Sequence, residues 1–101
     1  MWLIVMFDLP VDDAASKAAY RLFRGLLLDQ GFLMLQWSVY GRHCATRELT
    51  DTQVRSVVRN LPPKGQVRVL RVTEAQFARM EIHQKGTHRP PEEPPPQLEL
   101  W

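Results

Sequence analysis

The chain has 101 residues, of which 45% are hydrophobic and 24% are charged, and its formal net charge is +2 at pH 7. This length suits one domain with one hydrophobic core, and the composition excludes a disordered chain, a collagen-like chain and a disulfide scaffold. Residues 1–7 are too short an apolar run to span a bilayer and lack a signal-peptide pattern, and Cys44 is the single cysteine, so we expect a cytoplasmic protein.

The N-terminal third of the chain predicts a strand followed by a helix. Residues 2–7 form an unbroken apolar run of strand length, which ends in Asp8-Leu9-Pro10. Asp12 or Asp13 can cap the following helix, and Gly31 supplies its C-terminal stop. Apolar side chains recur between these limits at helical spacing: Ala18, Ala19, Leu22, Phe23, Leu26 and Leu27.

Two short strands and a second helix are predicted next. Residues 32–36 and 37–42 are rich in aromatic and β-branched side chains, which favour strands. Thr50 and Gln53 have the spacing of a capping box and predict the start of a second helix. Pro62-Pro63 ends that helix.

The remaining predicted strands complete a known arrangement. Residues 67–73 predict a fourth strand, and residues 77–82 predict a fifth. The first six elements then follow the order β-α-β-β-α-β of the ferredoxin-like sandwich, an α+β fold with two helices on one face of a four-stranded antiparallel sheet. The fifth strand is an addition to that fold.

The predicted sheet needs cover on both of its faces. The first strand is apolar on either side, and the fourth strand has valines on one side and Leu70 and Val72 on the other. Strands of this kind need two covers, and the two helices supply only one. We therefore expect a homodimer joined sheet face to sheet face, with the fifth strand available to add to an edge of the partner's sheet.

The C-terminal part has a different composition. Five of the eight prolines lie in residues 90–96, which excludes a helix interior or a central strand there. We divide the chain into a ferredoxin-like domain of residues 1–83 and a proline-rich extended tail of residues 84–101. The tail ends in Leu98-Glu99-Leu100-Trp101, an apolar patch that either docks onto a partner or stays free.

Asp8 is the first candidate functional residue. A carboxylate at the end of a rigid apolar strand can point into a cleft, and the alternative is an ordinary turn residue before Pro10. In a dimer whose two-fold axis crosses near the end of the first strand, two copies of Asp8 face each other. Two such carboxylates offer the hard oxygen ligands that suit Mg²⁺ or Mn²⁺, ions that activate water or stabilise a phosphate oxyanion.

Seven basic residues are candidates for contact with a phosphate backbone. Positive stripes along helices contact phosphates without reading bases, and the alternative is an ordinary solvated helix face. The first predicted helix carries Lys17, Arg21 and Arg24, the second carries Arg55 and Arg59, and Arg42 and Arg47 flank the turn between the third strand and the second helix.

The other reactive side chains predict structural roles. The adjacent residues His43 and Cys44 point to opposite faces of an extended chain, and no third metal ligand lies near them in sequence. His83 and His88 have no nearby carboxylate or cysteine cluster, and we expect Tyr40, like Tyr20, to complete the core. The sequence contains no glycine-rich phosphate loop, CxxC pair or serine elbow.

Four segments carry a resemblance to a known family: LIVMFDLP at residues 3–10, YRLFR at 20–24, GFLMLQWSVY at 31–40 and GQVRVLRVTE at 65–74. In this order and spacing they resemble the small CRISPR-associated endoribonuclease family, the smaller partner of the spacer-acquisition pair, and they are most similar to its type II branch. The resemblance covers about residues 1–83. It implies a ferredoxin-like homodimer in which Asp8 is a metal ligand and the proposed catalytic residue.

The resemblance implies two functions of different class. One is a Mg²⁺-dependent (or Mn²⁺-dependent) endonuclease that acts on RNA or DNA through Asp8 of both protomers. The other is a non-catalytic DNA-binding scaffold that bridges two dimers of the CRISPR integrase subunit while foreign spacers are inserted into the CRISPR array. The expected partners are that integrase subunit, double-stranded DNA and single-stranded RNA, with no membrane. A third hypothesis, a regulator that binds a small ligand between sheets, predicts glycine-rich ligand loops, which the sequence lacks.

Overall fold

A four-stranded antiparallel sheet with two helices on one face forms the core of the protein, in a computed structural model that describes residues 1–95. The elements in chain order are β1 (Trp2–Asp8), α1 (Ala14–Asp29), β2 (Leu33–Gln36), β3 (Val39–His43), α2 (Arg47–Arg59), β4 (Gln66–Val72), α3 (Glu74–Ala78), β5 (Ile82–Gln84) and β6 (Thr87–Arg89). The strand order in the sheet is β2-β3-β1-β4. The predicted ferredoxin-like α+β arrangement is confirmed.

Strand β1 lies in the middle of the sheet and divides the core into two parts. It pairs with β3 from Trp2 to Met6 and with β4 along its whole length, where Asp8 lies opposite Gln66. Successive side chains of a strand point to opposite faces. The odd-numbered residues of β1 therefore face the helices, which supply Phe23, Leu27 and Val57 to that part of the core. The even-numbered residues of β1 lie on the other side of the sheet, called here the open face.

Helix α1 begins and ends where the sequence indicates. Asp13, one of the two predicted caps, accepts a hydrogen bond from the backbone N–H of Ser16 at 2.7 Å. That bond lowers the pKa of the Asp13 carboxyl. At the other end, the chain turns away through Gly31, whose φ of +87° favours glycine.

Helix α2 begins earlier than predicted. Its N-cap is Thr46, whose hydroxyl accepts from the backbone N–H of Leu49 at 3.1 Å. The predicted capping box at Thr50 is wrong, because that residue is buried inside the helix and donates its hydroxyl to the Thr46 carbonyl at 2.9 Å. Two threonines four residues apart both had the chemistry of a cap, and the packing of the helix selected the first.

The predicted fifth strand over residues 77–82 is also wrong, because its first residues belong to helix α3. Thr73 and Gln76 form a reciprocal capping box that starts this helix. Phe77 then stacks on Trp2, with ring centroids 4.1 Å apart and planes 8° apart. Helix α3 therefore covers the end of the open face at which Trp2 lies.

The chain after α3 forms a hairpin where an extended tail was predicted from residue 84. Strands β5 and β6 pair with each other through a turn at Gly86, whose φ is +82°. Residues 90–94 then line a cleft with Trp2 and Phe77 on the open face. The division at residue 83 stays a prediction, and the apolar patch of residues 98–101 lies outside the described residues. Over the described part of the chain, each helix is too short or too polar to cross a membrane.

Gly65 provides a test of how the backbone of Asp8 is held. Its φ is +91°, and a Cβ atom there would lie 2.5 Å from the carbonyl oxygen of Asp8. We expect Gly65→Ala to lower the free energy of unfolding by about 3 kcal/mol or more, from the combined cost of the left-handed conformation and the overlap. Urea denaturation measures this loss.

Gly86→Ala is the matched control. Gly86 has a similar φ of +82°, but no atom lies within 4 Å of the added Cβ. Gly86→Ala should therefore lower the free energy of unfolding only by the cost of the left-handed conformation, about 1 kcal/mol. Equal losses for the two variants would contradict a close approach between Gly65 and Asp8.

Candidate functional site

A cleft of about 250 Å³ lies around Asp8, at the end of the open face that α3 leaves uncovered. Strand β1 supplies Met6 and Asp8, and strand β4 supplies Gln66 and Arg68. The turn between β2 and β3 and the start of β3 close the cleft with Trp37, Ser38 and Val39. Three separate parts of the chain therefore meet at one carboxylate.

The Asp8 carboxylate is exposed and uncommitted. Among the described residues it takes part in no hydrogen bond or ion pair. Its backbone is fixed by pairing with Gln66 and by the close approach of Gly65. A carboxylate on rigid backbone and without a protein partner is free to bind a cation.

The turn between β2 and β3 presents an indole ring beside this carboxylate. Ser38 has a φ of 62°, and its carbonyl accepts from the backbone N–H of Phe7 at 3.0 Å. This bond ties the turn to the end of β1. Trp37 is 74% exposed, and it stacks on Tyr20 with ring centroids 6.0 Å apart and planes 23° apart.

Arg68 is a cleft residue that the sequence did not identify. It lies opposite Met6 across β1 and β4, so that it is the diagonal neighbour of Asp8 on the same face. Diagonal pairs of an antiparallel sheet are roughly 7–8 Å apart, within reach of an arginine side chain. The signal that would have found it is the register of β4 against β1, which composition and spacing alone do not give.

One protomer supplies a single metal ligand at this site. Among the residues that the structure describes, no three or more His, Cys, Asp or Glu side chains are grouped to hold a metal ion. Asp8 has the hard oxygen donors that Mg²⁺ and Mn²⁺ prefer, and within residues 1–95 it has no competing partner. The residues present therefore fit one carboxylate ligand of such an ion from each chain.

The predicted basic residues lie mainly on the other side of the molecule. Helices α1 and α2 cover the helix side of the sheet, and their basic side chains do not line the cleft of Asp8. The exposed basic residues on these helices are Lys17, Arg21, Arg47, Arg55 and Arg59. The structure therefore does not bring these five together with Asp8.

Two of the predicted basic residues are not on the surface stripes. Arg24 is half-buried, and its Nε donates to the hydroxyl of Tyr40 at 2.8 Å. Arg42 is also half-buried, with one guanidinium nitrogen 3.6 Å from the sulfur of Cys44. The predicted exposed stripe is therefore wrong at Arg24, because the long side chain bends back to satisfy a buried hydroxyl. Tyr40 is 1% exposed and completes the core, as predicted.

The histidine of the His43-Cys44 pair has a partner far away in sequence. Nε2 of His43 lies 2.6 Å from Oε1 of Glu74, which also accepts a hydrogen bond from the Met1 amino group. The bonds from Met1 and His43 lower the pKa of Glu74 to about 2. This cluster fastens α3 to the end of β1 and β3, whereas Cys44 is buried in the core.

The fold and the cleft together define a class of protein, a ferredoxin-like α+β domain with a free carboxylate at the end of its central strand. Among solved structures, the fold is similar to the crystal structure of Streptococcus pyogenes Cas2 at pH 6.5, with a TM-score of 0.61 and 20% sequence identity. The match covers 83% of this chain and 100% of that one.

The sequence comparisons define the family. Residues 1–80 match the family model described as CRISPR associated protein Cas2. The CRISPR-associated endoribonuclease Cas2 of Parvibaculum lavamentivorans is 42% identical over 101 residues, which is 100% of both chains. The protein of the same name from Acidovorax ebreus is 45% identical over 82 residues, 81% of this chain and 80% of that one. The chain therefore belongs to the Cas2 family of CRISPR-associated proteins, and the resemblance seen in its four segments is confirmed.

The contact between Arg24 and Tyr40 predicts different effects for two neighbouring arginines. Arg24→Ala leaves a buried hydroxyl without a partner, which costs about 1–3 kcal/mol of unfolding free energy. Arg21→Ala removes an exposed side chain and should change stability by no more than about 0.5 kcal/mol. Thermal and urea unfolding of both variants provide the measurement.

A double-mutant cycle separates the hydroxyl from general packing. In a Tyr40→Phe background no hydroxyl is left unpaired, so Arg24→Ala should cost clearly less than in the wild type. An equal cost in both backgrounds would show that the bond at 2.8 Å does not stabilise the fold.

Proposed function

We propose that the protein is a metal-dependent endonuclease of the CRISPR spacer-acquisition step, which cleaves phosphodiester bonds of RNA or DNA with Asp8 as its catalytic residue. The observation that carries this proposal is the exposed carboxylate at the end of a rigid central strand, which has no partner in the described part of the chain and lies in a cleft that also holds Arg68. The relatives named CRISPR-associated endoribonuclease Cas2 support RNA as a substrate.

The site is proposed to be completed by a second copy of the chain. Apolar side chains remain on the open face, where Leu33 is 42% exposed and Leu70 is 49% exposed. Their pairing with Gly41 and Ile4 places both on the face that carries Asp8. Burying this face against a copy of itself removes apolar surface from water and brings two Asp8 carboxylates toward a common axis.

Two residues of the cleft, Asp8 and Arg68, have defined roles in this proposal. Asp8 of each protomer holds the ion, and Arg68 neutralises a phosphate oxygen of the bound strand. When bound, Mg²⁺ or Mn²⁺ supplies charge to stabilise the phosphorane-like transition state and lowers the pKa of a water ligand. The pairing of Asp8 with Gln66 across β1 and β4 holds the backbone that carries the carboxylate.

Asp8→Asn tests the proposal, since the amide keeps the shape of the side chain and removes its charge. We expect the variant to fold, to keep a mass of about twice the 11.8 kDa of one chain in light scattering, and to lose metal-dependent cleavage of RNA. Removal of the metal with a chelator should abolish cleavage by the wild type in the same way. Gel assays of a labelled single strand with and without Mg²⁺ measure both effects.

The controls distinguish the possible failures. Gln66→Ala changes the residue opposite Asp8 without removing a charge, and it should retain most of the activity. Equal cleavage by Asp8→Asn and the wild type would assign the activity to a contaminant or to a different residue. A monomeric wild type would contradict the shared metal site.

A second candidate function, a DNA-binding scaffold for the CRISPR integrase subunit, is favoured by a different observation. Exposed basic side chains follow α1 and α2 on the face opposite to Asp8. A basic surface of this kind can follow a DNA backbone while the integrase subunit binds elsewhere. The two functions use opposite faces of the sheet, so one chain can carry both.

The scaffold function predicts a salt dependence that can be assigned to residues. If Arg21 and Arg59 each contact one phosphate, replacing both by Ala should flatten the log–log salt dependence of duplex DNA binding by roughly 0.9 per lost contact. Lys85→Ala removes a charge from the hairpin turn and should leave the slope unchanged. An unchanged slope in the double variant, alone and with the integrase subunit, would identify these arginines as an ordinary solvated helix face.

A further inference from the structure

We propose that Trp37 is a base-stacking residue that selects single-stranded nucleic acid at the Asp8 cleft, an inference that rests on the proposed nuclease function and specifies its substrate class. The unpaired base adjacent to the phosphate held at Asp8 and Arg68 packs on the exposed side of the indole. The phosphate contact then supplies affinity, and the stacked base supplies the choice of strand type.

The first observation is the way in which the indole is held. Trp37 lies in a two-residue turn whose Ser38 has a φ of 62° and bonds to the backbone of Phe7. One side of the indole stacks on Tyr20 at a centroid distance of 6.0 Å, and the side chain is still 74% exposed. The ring is thus supported on one side and open on the other, which is how aromatic platforms for nucleobases are built.

The second observation is the position of the ring relative to charge. Trp37 lines the same cleft as Asp8 and Arg68, whereas other strongly exposed apolar side chains such as Leu22 lie on the helix side. A cation that contacts a phosphate beside a flat aromatic surface is the combination used to bind single strands. The Asp8 carboxylate, which lies beside Arg68 and Trp37, is then close to the backbone of the stacked nucleotide.

The strand type follows from the geometry of stacking. Every base of a duplex is already covered by its neighbours on both sides, so its flat surface is not available to a side chain on the protein surface. A base in a single strand or loop can leave the stack at little cost. Because all four bases have such a surface, we expect the preference to depend on strand type and only weakly on sequence.

The experiment measures binding in the absence of cleavage. In an Asp8→Asn background, Trp37→Ala should weaken binding of a single-stranded RNA by roughly 5- to 100-fold, the usual effect of removing one aromatic–base stack. Trp37→Phe should restore most of the affinity. Binding of a fully paired RNA duplex should be unchanged, and Leu22→Ala, which truncates a side chain that is 78% exposed, should have no effect on either substrate.

Tryptophan fluorescence gives an independent readout. In a Trp101→Phe background, the remaining tryptophans are Trp2, which is 1% exposed, and Trp37. Single-stranded RNA should quench the emission of Trp37, and duplex RNA should not. Absence of quenching, or an equal loss of affinity for both strand types in Trp37→Ala, would overturn the inference.

Two further outcomes distinguish the inference from the function on which it rests. A wild type that cleaves no RNA but shows strand-specific quenching would overturn the nuclease proposal and retain base stacking. A Trp37→Ala protein that becomes monomeric would overturn base stacking, because the indole would then belong to the contact between copies.

Discussion

Strand β1 has to be covered on both faces, and the rest of the structure follows from this constraint. Its odd-numbered side chains are buried by α1 and α2, whereas its even-numbered ones need a second cover. The chain supplies that cover at one end only, where Phe77 of α3 stacks on Trp2 and residues 90–94 lie beside them. At the other end the apolar face stays open, and Asp8 lies there. The uncovered apolar surface of the sheet is therefore the surface that carries Asp8.

The packing of α3 on the open face of the sheet at Trp2 depends on electrostatic contacts as well as on aromatic stacking. Glu74, the first residue of α3, accepts hydrogen bonds from the Met1 amino group and from His43, and these bonds lower its pKa to about 2. A carboxylate with a lowered pKa stabilises the folded state above its usual pKa of about 4.5, and this contribution is lost as the pH falls toward 2. Half of the Glu74 side chain is exposed, so solvent reduces the contribution. The Glu74 contacts therefore add to the stack of Phe77 on Trp2 in holding α3 against the sheet.

The sequence predicts the elements whose pattern is local and leaves out those that depend on distant contacts. An unbroken apolar run defines β1, and a cap, a helical period and a terminal glycine define α1. The predicted start of α2 was wrong because Thr46 and Thr50 have the same side-chain hydroxyl and either can cap a helix. Only tertiary packing, which buries Thr50, distinguishes them. The segment at Phe77 was assigned to a strand because its burial depends on Trp2, 75 residues earlier. Local propensity does not contain that contact.

The candidate site shows the same division between local and distant information. Asp8 could be predicted because its position at the end of an apolar strand is visible in the sequence. Arg68 and Trp37 could not, since they join Asp8 only through the register of β4 against β1 and the tie between Ser38 and Phe7. Arg24 shows the converse: its helical spacing suggested a phosphate contact, and its contact with Tyr40 gives it a structural role. Spacing along a helix reports which side chains share a face, but the neighbours across the sheet decide which charges remain available to a ligand. In this fold the available charges divide between the exposed basic residues on the helix side and the cleft that holds Asp8 and Arg68.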